Sequence, residues 1–153
     1  EWLEKAYNNP SDLKAREKMA EASIVAGVAF SHPRTTGSHA CSFPLTNIYG
    51  LPHGEACAFT LDYFLKFNAE HADGDGRITA LAKDCGFNDA FEMAYEITAM
   101  KKRMGMRCTL SEIGCETDEQ IDELTKKSMS MLMTRNPITL TQKDIKEMYI
   151  KLK

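Results

Sequence analysis

The sequence has no Cys-x-x-Cys pair, only one tryptophan and five prolines, and no long apolar run. Each shortage removes a class of protein. Nothing approaches the roughly 18 apolar residues that cross a bilayer as a helix, so no membrane partner is expected. The five cysteines, Cys41, Cys57, Cys85, Cys108 and Cys115, are odd in number and lack paired metal-ligand spacing. That argues against a disulfide framework and against a four-cysteine zinc site. Reduced thiols in a cytoplasmic protein, most of them packed in the core, are the simpler reading. The net charge of −3 leaves no broad electrostatic grip on nucleic acid. Strand patterning is confined to Ile138-Thr139-Leu140, which is too short to build on.

What remains is helical. A hydrophobic content of 43% with 27% charged residues is the balance of a globular chain, and 153 residues suffice for one domain with a sizeable core. The expected architecture is all-α, six to eight helices in a single domain over residues 1–153. The opening EWLEKAYNNP carries no initiator methionine, and the chain is expected to be a piece of a longer protein.

After the Asn8-Asn9-Pro10-Ser11 turn a helix is expected from Asp12 to about Ser31, starting at Ser11. Its small residues, AEASIVAGVA, permit close approach of another helix, which predicts a central position. Pro33 and Gly37 break it. A short piece restarts near Ser38, and Pro44 ends or kinks that piece. Further helices are expected over His53–Asn68, Arg77–Cys85, Asn88–Arg103, Thr117–Met133 and from Thr141 to about Leu152, with a single turn near Thr109–Glu112. Thr117 and Gln120 form a capping box. The segment HADGDGR at 71–77 has the look of a calcium loop, but an EF-hand begun at Asp73 would place Arg77 fifth, Ile78 at the invariant glycine and Asp84 at the bidentate glutamate. It reads instead as a polar turn capping the next helix. Lys101, Lys102 and Arg103 close their helix as cations complementing its dipole. Met129 and Met133 are spaced to share one face as core filler.

The segment HACSFPLTNIYGLPHG, residues 39–54, places His39 and His53 fourteen positions apart across Pro44, Gly50 and Pro52. Both imidazoles stand beside helix breaks. His53 opens a helix, where the dipole disfavours imidazolium and keeps a ligand-competent ring. Pro52 restricts the backbone direction and Gly54 leaves room for close approach. Two readings stay open on these facts: the rings share a metal ion, or each caps or buries itself locally.

Residues 14–68, with AREKMAEASIVAGVAFS, the His39-to-His53 interval, Pro44-Leu45, PHG at 52–54 and the helix ending in Asn68, resemble the iron-containing (group III) alcohol dehydrogenase family. The tail TRNPITLTQKDIKEMY, residues 134–149, is similar to that family's closing segment. The resemblance implies a helical metal-binding domain, of the dehydroquinate synthase-like C-terminal type, that follows a nucleotide-binding domain missing here. Accordingly there is no G-x-G-x-x-G motif and no cofactor-binding residue. The family's metal takes an Asp and three His, of which His39 and His53 match the last two; the Asp-x-x-x-His supplying the others would lie before Glu1. The metal would be a divalent ion, with ferrous iron usual and zinc suited to the same donors. The full-length protein would pass a hydride between a small alcohol or aldehyde and NAD or NADP. The isolated chain would be inactive, with an apolar face towards the missing domain and homo-oligomers possible.

The chain departs from the family at informative places. Where many members carry a proton-relaying histidine four residues after the match to His39, this sequence has Phe43, expected to line the substrate pocket, and no catalytic residue is assigned. In place of a glycine-rich stretch it has PRTTG at 33–37, where Arg34 could meet an anionic substrate group. Where many have Asn in the helix after PHG, it has Cys57. His-Gly-Glu-Ala at 53–56 is also similar to dehydroquinate synthase, which leaves a lyase domain as one alternative and a non-catalytic helical interaction module as another.

Overall fold

Helical periodicity without strand patterning should give a purely helical chain, and it does. A computed structural model describes residues 1–153 and contains no strand. Nine α-helices form two compact units, residues 1–35 and 36–153. No helix is long and apolar enough to cross a membrane.

The first unit holds α1 (Trp2–Asn8) and α2 (Leu13–Phe30), which pack on each other around Ala6 and Ala15. Asp12, rather than Ser11, caps α2 by accepting from the Ala15 amide at 3.0 Å. Within its own unit α2 packs against α1. Ala15 is its one fully buried residue, while Ile24, Val25, Val28 and Phe30 are exposed. Small-residue content licenses close packing but cannot say that the partner lies in the same chain.

The second unit holds α3 (Gly37–Tyr49), α4 (His53–Phe59), α5 (Leu61–Ala72), α6 (Arg77–Asp84), α7 (Ala90–Arg103), α8 (Asp118–Ser128) and α9 (Gln142–Lys151), with 3-10 turns at Ser111–Ile113 and Met133–Arg135. Here α3 is the hub, packing on α4, α5 and α8, while α5 packs on α7 and α8 on α9. Gly37, Ala40, Cys41, Pro44 and Leu45 form its buried stripe at helical spacing. At Gly37 a Cβ would lie 2.1 Å from the Phe64 ring, so only glycine permits that approach. Pro44 does not end the helix, which runs on through it to Tyr49. Leu45, Leu51, Phe59, Leu124, Ile145, Met148 and Tyr149 fill the core.

Two helices more than the sequence indicates have clear origins. Trp2–Asn8 is helical. The expected His53–Asn68 helix is divided at Thr60, where φ is −110° and ψ 4°. The Lys101 ammonium donates to the carbonyls of Ala58 at 3.1 Å and Phe59 at 3.3 Å, which an unbroken helix would have offered to amides four residues on. Lys101 also pairs with Asp62 at 2.7 Å and is buried. So Lys101, with Lys102 and Arg103, stands in the last turn of α7 as expected, and its ammonium also complements the C-terminus of α4. The other expectations divide. The capping box expected at Thr117 forms, a second one forms at Thr141, and Asp73 accepts from the Ile78 and Thr79 amides at the start of α6, as a polar turn should. The helix expected to reach Met133 stops at Ser128; Met133 is buried in a 3-10 turn and Met129 is exposed, so they share no helix face.

Candidate functional site

Helical spacing that buries 37, 40, 41, 44 and 45 leaves His39 and Phe43, four apart, together on a flank of α3. His39 is half-buried and Phe43 exposed. The chain leaves α3 through Gly50, at φ 69°, a backbone shape that favours glycine. The Gly50 amide bonds to the Thr46 carbonyl and the Leu51 amide to that of Leu45, closing α3 while buried Leu51 anchors the turn. Pro52 then starts α4, with His53 as its first residue. Three residues therefore suffice to bring α4 back onto α3.

The two imidazoles meet. Their centroids lie 4.9 Å apart with planes at 89°. Phe43 completes the group, its ring 5.1 Å from that of His39 and 6.0 Å from that of His53. Cys57, one turn after His53 on α4, sets its Sγ 3.5 Å from Nδ1 of His39 and 3.6 Å from Nε2 of His53. The ligand-capable atoms of His39, His53 and Cys57 all lie within 4.8 Å of one another. Desolvation, and secondarily the nearby His53, hold the His39 pKa below its ordinary value, so its ring favours the neutral form that a metal needs. Soft and borderline donors converging from two helices fit a divalent transition ion.

The sequence pointed to His39, His53 and Phe43, and these come together. Arg34 lies in the first unit, exposed, with φ 70°. Gly54 is exposed, and a Cβ there would meet nothing in this chain. Two features were not anticipated. The His53-x-x-x-Cys57 spacing was the available signal for the thiol. Glu55 accepts from the Arg107 backbone amide, Nε and Nη2 at 3.0, 2.9 and 2.7 Å. This fork ties α4 to the segment after α7, next to His53, and the side-chain hydrogen bonds from Arg107 hold the Glu55 carboxyl below its usual range. The other thiols stand apart: Cys41 is buried, which pushes its pKa up to about 11, and all five are free.

Comparison with known proteins shows the family. The model of the Fe-containing alcohol dehydrogenase family, C-terminal, matches residues 1–152. Long-chain-alcohol dehydrogenase 1 of Geobacillus thermodenitrificans is 30% identical, covering 96% of this chain and 39% of its own length. The NAD-dependent methanol dehydrogenase of Bacillus methanolicus is 30% identical over 95% of this chain and 40% of its own. Among solved structures, the sulfoacetaldehyde reductase of Bifidobacterium kashiwanohense in complex with NAD+ superposes with a TM-score of 0.92 at 46% identity, covering 99% of this chain and 40% of that one. The chain thus spans about two fifths of the length of the relatives it matches.

Proposed function

The chain belongs to the Fe-containing alcohol dehydrogenase family, as its C-terminal domain, and we propose that it is the metal-holding half of an NAD(P)-dependent enzyme that interconverts a small alcohol and its aldehyde. The observation that carries this reading is the convergence of His39 and His53 from α3 and α4 in a chain matched almost end to end by that domain. Residues 1–153 would act as one functional domain behind a nucleotide-binding domain, in the cytoplasm, where thiols stay reduced.

His39 and His53 would hold a divalent ion, ferrous iron or zinc. When bound, that ion supplies Lewis acidity that lowers the pKa of an alcohol. The chain's own residues do the rest. The neutral His39 ring offers a lone pair. The Glu55–Arg107 fork fixes the start of α4 and with it the aim of His53. Phe43 sets an apolar wall beside both rings, lining the substrate pocket and excluding water while being unable to carry a proton. NAD or NADP held by a preceding domain would accept the hydride from the alcohol carbon, with the hydroxyl proton passing to solvent. Arg34 is proposed as the contact for an anionic substituent. The sulfonate of the substrate named for the 46%-identical reductase is such a group.

The test is metal-dependent, NAD(P)-coupled oxidation of small alcohols by the full-length protein, with His53→Ala beside it. Activity lost on chelation, restored by ferrous iron or zinc and absent from His53→Ala supports the reading. Turnover indifferent to chelator and to His53→Ala overturns it.

A further inference from the structure

We infer that Phe43 sets the size of substrate this site accepts, holding it to short carbon chains; this rests on the metal reading above. Phe43 stands one turn after His39 on the same flank of α3. Its ring meets that of His39 edge-on, with planes at 89° and centroids 5.1 Å apart. The same ring lies 6.0 Å from that of His53, inclined at 33°. One phenyl group therefore borders both imidazoles. A substrate whose oxygen reaches an ion held by those rings has its carbon chain beside this phenyl. Phe43 is 42% exposed, whereas Ala40, Cys41, Pro44 and Leu45 form the buried side of α3. The ring is thus no part of the core, and its bulk stands at the site.

The wall is stiff as well as bulky. Pro44 follows Phe43 directly and restricts the backbone of the residue before it. The Ser42 hydroxyl donates to the His39 carbonyl at 2.7 Å and braces the same turn. A phenyl held in this way cannot fold aside for a longer chain as a methionine could. It offers neither charge nor hydrogen bond, so it selects by volume and not by polarity. In an apolar pocket one methylene more or less is worth about 10- to 200-fold in discrimination.

Oxidation of straight-chain alcohols from ethanol to hexanol by the full-length, metal-loaded protein tests this, in the wild type, Phe43→Ala and Phe43→Tyr. In the wild type kcat/KM should fall at least about 10-fold between propanol and hexanol. Phe43→Ala should remove or reverse that fall, chiefly through a lower KM for hexanol with kcat little changed. Phe43→Tyr keeps the bulk and should keep the wild-type order. Titrating the same alcohols into the cobalt(II)-loaded proteins, read from the visible ligand-field bands, gives binding constants without turnover and should show the same change. Zinc affinity should differ among the three proteins by less than about 10-fold, the smallest loss expected of a residue that supports a metal ligand. An unchanged chain-length order in Phe43→Ala would overturn the proposal and leave the metal reading standing. A fall in zinc affinity of about 100-fold in Phe43→Ala would equally overturn it, making the ring a prop for the imidazoles. A wild type that binds metal yet oxidises no alcohol would remove both the proposal and the reading beneath it.

Discussion

The imidazole of His39 stands edge-on to that of His53, centroids 4.9 Å apart, although fourteen residues and a helix-to-helix turn separate them in sequence. In metal-free protein this proximity disfavours a second positive charge, one of the causes of the lowered His39 pKa. A shared ion would make the two rings act as a unit. His39→Ala and His53→Ala in the full-length protein should each weaken zinc binding by more than about 100-fold, and the double variant should lose little more than either single one. Competition against a chelator of known affinity measures all three. Losses that add independently would mean that the rings do not serve one ion.

Glu55 and Arg107 make acid stability predictable in sign. The Glu55 carboxyl titrates below its ordinary 4.5, chiefly through side-chain hydrogen bonds from Arg107. The folded state then binds fewer protons than the unfolded one in that range, so stability rises with pH. The contribution is fully present above about pH 5 and is lost as pH falls through the folded pKa. Glu55→Gln should cost about 1–2 kcal/mol at neutral pH, discounted for the partial exposure of Arg107. That cost should shrink below about pH 4. Urea unfolding of both proteins at several pH values checks this, and a constant difference across the range would contradict it.

Lys101 and Asp62 form the buried pair, and Asp62 also accepts from the Thr98 hydroxyl. Lys101→Met leaves a carboxylate and two helix-terminal carbonyls without their ammonium, and should destabilise by about 3–5 kcal/mol. Adding Asp62→Leu should recover much of that loss, since paired apolar replacements of a buried ion pair are often near neutral. Unfolding midpoints of the single and double variants decide it. A single variant of near wild-type stability would show the pair to be dispensable.

The residues that chemistry makes rare were the legible ones. Two histidines beside Pro44, Gly50 and Pro52 pointed to a site, and the Thr117 and Thr141 caps pointed to helix starts, because in each case the signal lies within a few positions of the chain. Pairings across long separations were not legible. Lys101 does stand in the last turn of its own helix, but nothing local marks Asp62, thirty-nine residues earlier, as its partner. The division of α4 from α5 at Thr60 lies where Lys101 bonds the Ala58 and Phe59 carbonyls, and no local signal marks it. Cys57 joined the two histidines only when α3 brought His39 to the same face. Pro44 was read as a stop or a kink because proline costs a helix one hydrogen bond; its ring is buried on the packed side of α3, and the helix continues through it.

The helix α2 sets the last expectation. Ile24, Val25 and Val28 are 70%, 63% and 72% exposed, and Ala15 is the one buried residue of α2. An apolar stripe of this kind in a chain spanning about two fifths of its relatives' length fits a face that the preceding domain covers. Val28→Asp should therefore change the stability of the isolated chain by less than about 0.5 kcal/mol. It should also reduce self-association of that chain in sedimentation, where the wild type is expected to associate. In the full-length protein the same substitution should lower the thermal midpoint by several degrees, because a charge would then be buried without a partner. A monomeric wild-type chain together with a full-length protein indifferent to Val28→Asp would show that the stripe faces solvent throughout. A fall in midpoint seen only in the full-length protein would place the stripe under its missing neighbour.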